Sequence, residues 1–198
     1  MPVFNLKTQQ ESPDYKITAG LERLGQVFRT LLWEKAKEFD LSPVQIQLLI
    51  FMQQHHRSLC TVSYLAQEFN LSKPTISDAV KILEKKKLIE KKNNPSDSRS
   101  YSTSLTLEGK KITRQLENFA DPVAKLVSAL NEKDKDTILN SITALITQLL
   151  KKEIISVQRT CVNCRFYSKK QQQPFCNLLN LQLMPRDIRL DCPEFEAA

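Results

Sequence analysis

The sequence predicts a mainly α fold of the α+β kind, with long helices around one short antiparallel hairpin, and three observations carry that expectation. Apolar residues recur at helical spacing over most of the first 157 residues. Residues 88–107 switch to alternation of apolar and polar side chains around the turn-rich stretch NNPSDSRS. The last fifth of the chain follows neither pattern and holds four of the five cysteines.

Between Asp14 and Phe39, Leu21, Leu24, Phe28, Leu31 and Leu32 mark one face of a long amphipathic helix, with Glu22, Arg23, Lys35 and Lys37 on other faces. LSPVQIQLLIFMQQHH starts a second, with Ser42 as N-cap, Pro43 in the first turn and a stripe through Ile46, Leu49 and Ile50. Two shorter helices follow, VSYLAQEFN capped by Thr61 and SKPTISDAVKILEKK opening at Ser72. LIEKK and YSTSLTL then read as two strands. Thr106 caps a helix carrying Ile112, Leu116, Phe119, Val123, Leu126 and Leu130, which Pro122 should kink or split. Asn131 caps the last long helix, marked by Ile138, Ile142, Leu145, Leu149 and Ile154.

A chain of 198 residues with 41% hydrophobic content allows one compact domain and an appendage. We expect a domain over 1–157, with its core over about 41–107, and a separate tail over 158–198. Three glycines leave no phosphate-cradling loop, and no nucleophile has a plausible base beside it, so the chain does not read as an enzyme. No export signal or membrane-length apolar run appears, so a soluble, cytoplasmic protein is expected. In that reducing compartment clustered cysteines are more often metal ligands than disulfides.

The net charge of +7 is concentrated: residues 73–114 hold eleven Lys/Arg against five Asp/Glu. Three short helices followed by a hairpin describe a winged helix-turn-helix whose second motif helix enters the DNA major groove. On that helix Ile76, Ala79, Val80 and Leu83 face the core, which turns Lys73, Pro74, Thr75, Ser77, Asp78, Lys81 and Lys85 outward. At the hairpin tip Asp97 can hold the guanidinium of Arg99 for the minor groove, and Lys85, Lys86, Lys87, Lys91 and Lys92 suit binding to phosphates.

LSPVQIQLLIFM, TVSYLAQEFNLSKPTISDAVKILEKKKLIEKK and NPSDSRSYSTSLTLEGKK together resemble the MarR family of transcriptional regulators over about residues 14–157. The resemblance implies a homodimer with interlocked terminal helices, each subunit offering its recognition helix and wing to half of a palindromic operator in double-stranded DNA. It places the recognition helix at Ser72 to Lys81 and matches Asp97 and Arg99 to the wing's acid and arginine. The chain departs from the family where Ser98 replaces the first of two adjacent arginines. Amphipathic helices at both ends independently call for a partner surface.

In the tail, Cys161, Cys164, Cys176 and Cys192 are spaced C-x2-C-x11-C-x15-C. A two-residue gap lets two sulfurs reach one metal, and four thiolates complete a zinc site or a [4Fe–4S] cluster. With the aromatic residues of CVNCRFY, PFC and CPEF, this spacing resembles the ligand pattern of high-potential-type [4Fe–4S] proteins. Iron–sulfur and zinc both remain open, with a disulfide or other arrangement as the remaining alternative, as do a structural role for the metal and one in sensing redox or metal status.

Cys60 reads as a small buried side chain, His55 and His56 as a helix end, and Trp33 as core or dimer interface. The leading expectation is therefore a dimeric DNA-binding regulator, read as a repressor, with a metal-bearing tail. The alternative is an iron–sulfur electron-transfer or metal-storage protein that docks through its helices. A small-molecule effector bound between the dimer helices and the core is a third reading.

Overall fold

The computed structural model describes residues 3–94, 97–157 and 159–198, leaving aside the side chains of 93, 94 and 97–100. A short helix α1 (Leu6–Glu11) precedes the long α2 (Pro13–Glu38). The expected first helix thus begins at Pro13, where Ser12 accepts a hydrogen bond from the Asp14 N–H. The sequence reading missed α1 because LKTQQE carries no apolar period.

The winged helix follows as α3 (Pro43–Gln54), α4 (Val62–Glu68), α5 (Lys73–Lys85), β1 (Ile89–Asn94) and β2 (Asp97–Leu105). Each start is fixed locally. Ser42 and Gln45 form a reciprocal capping box, Thr61 accepts from the Tyr64 N–H, and Ser72 accepts from the Thr75 N–H. Such a cap contributes about 1 kcal/mol. The strands pair antiparallel with Ile89 opposite Leu105, and the register shifts between Asn93 and Asn94.

Ile46, Leu48 and Leu49 of α3, Leu65 of α4, Ile76, Val80 and Leu83 of α5, and Leu116 beyond the hairpin are fully buried together. At ~2 kcal/mol for each large apolar side chain, this cluster is the main force holding the three-helix core. The hairpin is stitched to it through Thr103, whose N–H and hydroxyl both donate to the Cys60 carbonyl at 2.9 Å. Cys60 is buried as expected. Helix α6 (Leu107–Leu116) crosses the hairpin base at Gly109, where a Cβ would stand 1.9 Å from the Leu88 carbonyl oxygen.

Of the two effects expected of Pro122, the helix after the hairpin is broken rather than kinked: a 3-10 turn (Glu117–Ala120) separates α6 from α7 (Asp121–Ser128), with Pro122 in the first turn of α7. Asn131 caps α8 (Glu132–Lys151), which stops short of Ile154. Leu21, Leu24 and Phe28 on α2, Leu126 on α7 and Leu145 on α8 are exposed within one chain, and α8 buries none of its residues. Trp33 is exposed, which removes the core reading of that residue.

The tail is a small three-stranded antiparallel sheet of β3 (Tyr167–Lys170), β4 (Gln173–Cys176) and β5 (Leu181–Gln182). It is flanked by 3-10 turns at Cys161–Asn163 and Pro185–Asp187. The chain end folds back on the first cysteine pair, where Arg165 donates to Glu196 and Ala198 to Asn163 through backbone N–H groups. The expected boundary residue Gln158 lies outside the described residues.

Candidate nucleic-acid interface and cysteine cavity

Helix α5 has two unlike sides. Ile76, Ala79, Val80 and Leu83 are buried, whereas Lys73, Pro74, Thr75, Asp78, Lys81 and Lys85 are exposed and Ser77 is half-buried. The helix is therefore anchored along one stripe and offers the other to a partner. Pro74 in the first turn and the Ser72 cap keep the N-terminal end small. Asp78 and Lys81 pair at 3.0 Å on the open surface, an arrangement a phosphate or base edge can replace at little cost.

The lysines expected at phosphates divide into two groups. Lys85, Lys87 and Lys92 are exposed. Lys86 instead holds Asp40 at 2.7 Å, keeping that carboxyl below its usual pKa, and Lys91 pairs with Glu84 while its ammonium lies 4.9 Å from the Tyr101 ring centre. The side chains of Asp97 and Arg99 lie outside the described residues; their backbone belongs to β2 at the hairpin tip.

Four tail cysteines, Cys161, Cys164, Cys176 and Cys192, line one cavity of about 260 Å³ with Phe166, Tyr167, Leu183 and Arg189. The 3-10 turn carries Cys161 and is followed directly by Cys164, β4 ends in Cys176, and the backbone N–H of Cys192 donates to the Arg159 carbonyl at 2.9 Å. Arg189 serves two sulfurs: its N–H donates to Cys161 Sγ at 3.3 Å and its guanidinium to Cys192 Sγ at 3.6 Å. Burial raises the Cys161 thiol pKa, an effect that the Arg189 N–H opposes. None of the five cysteines forms a disulfide.

Sequence reasoning missed the joint between tail and core. Arg159, with only 6% of its side chain exposed, donates to both carboxylate oxygens of Glu68, to both of Asp191 and to the Tyr64 hydroxyl. Its guanidinium also lies over the Phe51 ring, 5.2 Å from the centre. His55 stacks on Phe51 and bonds Asp191 at 2.9 Å, so its role extends beyond closing a helix. Burial works against the charge on Arg159, but its hydrogen bonds to Asp191 and Glu68 outweigh it and raise the pKa. Asp191 is likewise held well below the usual carboxylate range by His55 and Arg159 despite burial. At the other end of the tail Arg186 meets Asp136 of α8 at 3.5 Å.

No curated protein matches the chain. A family model described as "MarR family" matches residues 39–100. Among solved structures, the Staphylococcus aureus MepR–DNA complex aligns at 23% identity with a TM-score of 0.59, covering 67% of this chain and 97% of that one. S. aureus MepR in its DNA-binding conformation gives the same identity and TM-score. A MarR transcriptional regulator from Methanosarcina mazei Go1 aligns at 22% with a TM-score of 0.56, covering 69% of this chain and 95% of that one. Those chains are covered almost completely, so about a third of the present chain has no counterpart in them. Residues 39–100 thus match the MarR family, and the fold built around them is the one seen in these regulators.

Proposed function

We propose that the chain is a sequence-specific double-stranded DNA-binding transcriptional regulator, acting as a homodimer that represses by occupying a palindromic operator. The observation that carries this reading is α5, with a buried stripe fixing the helix and Lys73, Thr75, Asp78, Lys81 and Lys85 exposed opposite it. MepR, similar in fold, was solved as a DNA complex. The homodimer rests on the exposed apolar residues of α2, α7 and α8, which a second copy would cover. An electron carrier would have no use for a basic helix beside a basic hairpin.

In the same reading Cys161, Cys164, Cys176 and Cys192 are the ligands of a metal centre on the tail. Their support is convergence on one cavity from positions spread over 32 residues.

Selection from a randomised duplex pool, followed by anisotropy titration at several salt concentrations, tests the DNA assignment. Lys81→Ala and Arg99→Ala should weaken binding. The log–log salt slope should flatten by about 0.9 for every phosphate that is no longer neutralised. An unselected pool, or variants that bind like wild type, would remove α5 and the wing from the interface.

A further inference from the structure

Tetrahedral zinc draws four thiolates to ~2.3 Å from one point, which puts the sulfurs roughly 3.8 Å from one another. The tail is arranged more openly. Among the described residues no three His, Cys, Asp or Glu side chains are grouped closely enough to hold a single ion, yet all four cysteines border one cavity. Its volume of about 260 Å³ is far larger than one ion requires, being many times the ~10–15 Å³ that a single water-sized occupant needs. Much of the wall is apolar, from Phe166, Tyr167, Leu178, Leu179, Leu181 and Leu183.

Two further observations concern sulfur chemistry. Arg189 already donates to Cys161 Sγ and Cys192 Sγ, and hydrogen bonds to the sulfurs are what tune a cluster within a protein. Thr160 Oγ1 and Asn163 Nδ2 are buried and have no partner among the described residues, and both belong to the TCVNC turn. Buried polar atoms of this kind call for a partner.

We infer that the cavity between Cys161, Cys164, Cys176 and Cys192 is the site of a [4Fe–4S] cluster, one cysteine to each iron, rather than of a zinc ion. The inference rests on the reading of the tail as a metal centre and selects between its two forms. Assembly from two ferrous ions, two ferric ions and four sulfides changes no oxidation state: each thiol gives its proton to solvent as its sulfur binds one iron. No other bond of the protein breaks. Arg189 places a positive charge beside the resulting anionic assembly.

The test uses the full chain, purified without air and reconstituted with equal amounts of ferrous and ferric iron and with sulfide, in the presence of equimolar zinc. Iron, acid-labile sulfide and zinc are then counted, and visible absorption is recorded. The expected result is a brown protein with about four iron and four sulfide per chain. The colour should be lost in Cys176→Ala and kept in Cys60→Ser. A colourless protein with one zinc held by four thiolates would overturn the cluster and leave the metal centre standing. Two irons per chain would also overturn it. Absence of both metals from a folded wild-type chain would overturn the metal centre itself. Because wild-type protein supplies the deciding counts, a misfolded Cys176→Ala variant does not affect the outcome.

Discussion

Arg159 holds Glu68 of α4 through two hydrogen bonds, 2.5 and 3.2 Å long, in a site that leaves 6% of the arginine side chain and 18% of the glutamate exposed. The same guanidinium holds Asp191, the neighbour of Cys192, so one residue ties the tail to the first helix of the helix-turn-helix. Arg159→Ala leaves the largely buried Glu68 carboxylate without its counter-charge while Asp191 keeps His55, a loss worth about 3 kcal/mol when one partner of a buried ion pair is removed. Hydrogen exchange should accelerate about a hundredfold in residues 161–192 while α3 and α5 keep their protection. Unchanged exchange in the tail would mean that the clamp does not hold it.

Partnered and unpartnered lysines should differ at DNA. Lys86 and Lys91 already neutralise Asp40 and Glu84, whereas Lys73 and Lys85 are exposed on α5. Alanine at Lys73 or Lys85 should lower the salt slope of operator binding by about 0.9 each. Alanine at Lys86 or Lys91 should change it by much less, as seen in anisotropy titrations from low to high salt. Equal slopes for all four variants would contradict the division.

Cys60 is 1% exposed and burial pushes its thiol up to about 11. Iodoacetamide at pH 8 should therefore leave it unmodified in the folded protein and modify it in urea, as intact mass shows. The folded state holds this proton more tightly than the unfolded state. Its contribution to stability is thus fully present below about 9 and lost as pH rises through about 11. Cys60→Ala should flatten the decline of stability across that alkaline window.

Helix propensity alone gives Gly→Ala a gain of about 1 kcal/mol inside a helix. Gly109→Ala should show the opposite sign, because the new Cβ would meet the backbone carbonyl of Leu88, which also accepts from the Thr106 N–H. We expect a loss of about 3 kcal/mol, the cost of overpacking against rigid backbone, measured by urea unfolding. A stabilised variant would show that α6 can lift off the hairpin without cost.

The elements readable in the sequence are those whose cause is local. Ser42, Thr61, Ser72, Thr106 and Asn131 each cap the helix that follows, and each acts within three residues of itself. The buried stripe of α5 likewise follows from helical periodicity. Distant pairings left no such trace: Arg159 and Glu68 are 91 residues apart, and His55 and Asp191 are 136 apart. The tail sheet also escaped notice. Its strands are two to four residues long, and polar segments such as YSKK show no apolar alternation.

The tail touches α8 through Arg186 and Asp136, and α4 through Arg159 and Glu68. Helix α4 packs on α5, so if the tail and α5 each hold a ligand, both act on neighbouring structure and equilibrium makes their influence mutual. The factor by which an occupied tail alters operator affinity is the factor by which the operator alters the tail's hold on its occupant. Chains resting on an operator and chains free in solution would accordingly respond to the same chemical surroundings with different sensitivity.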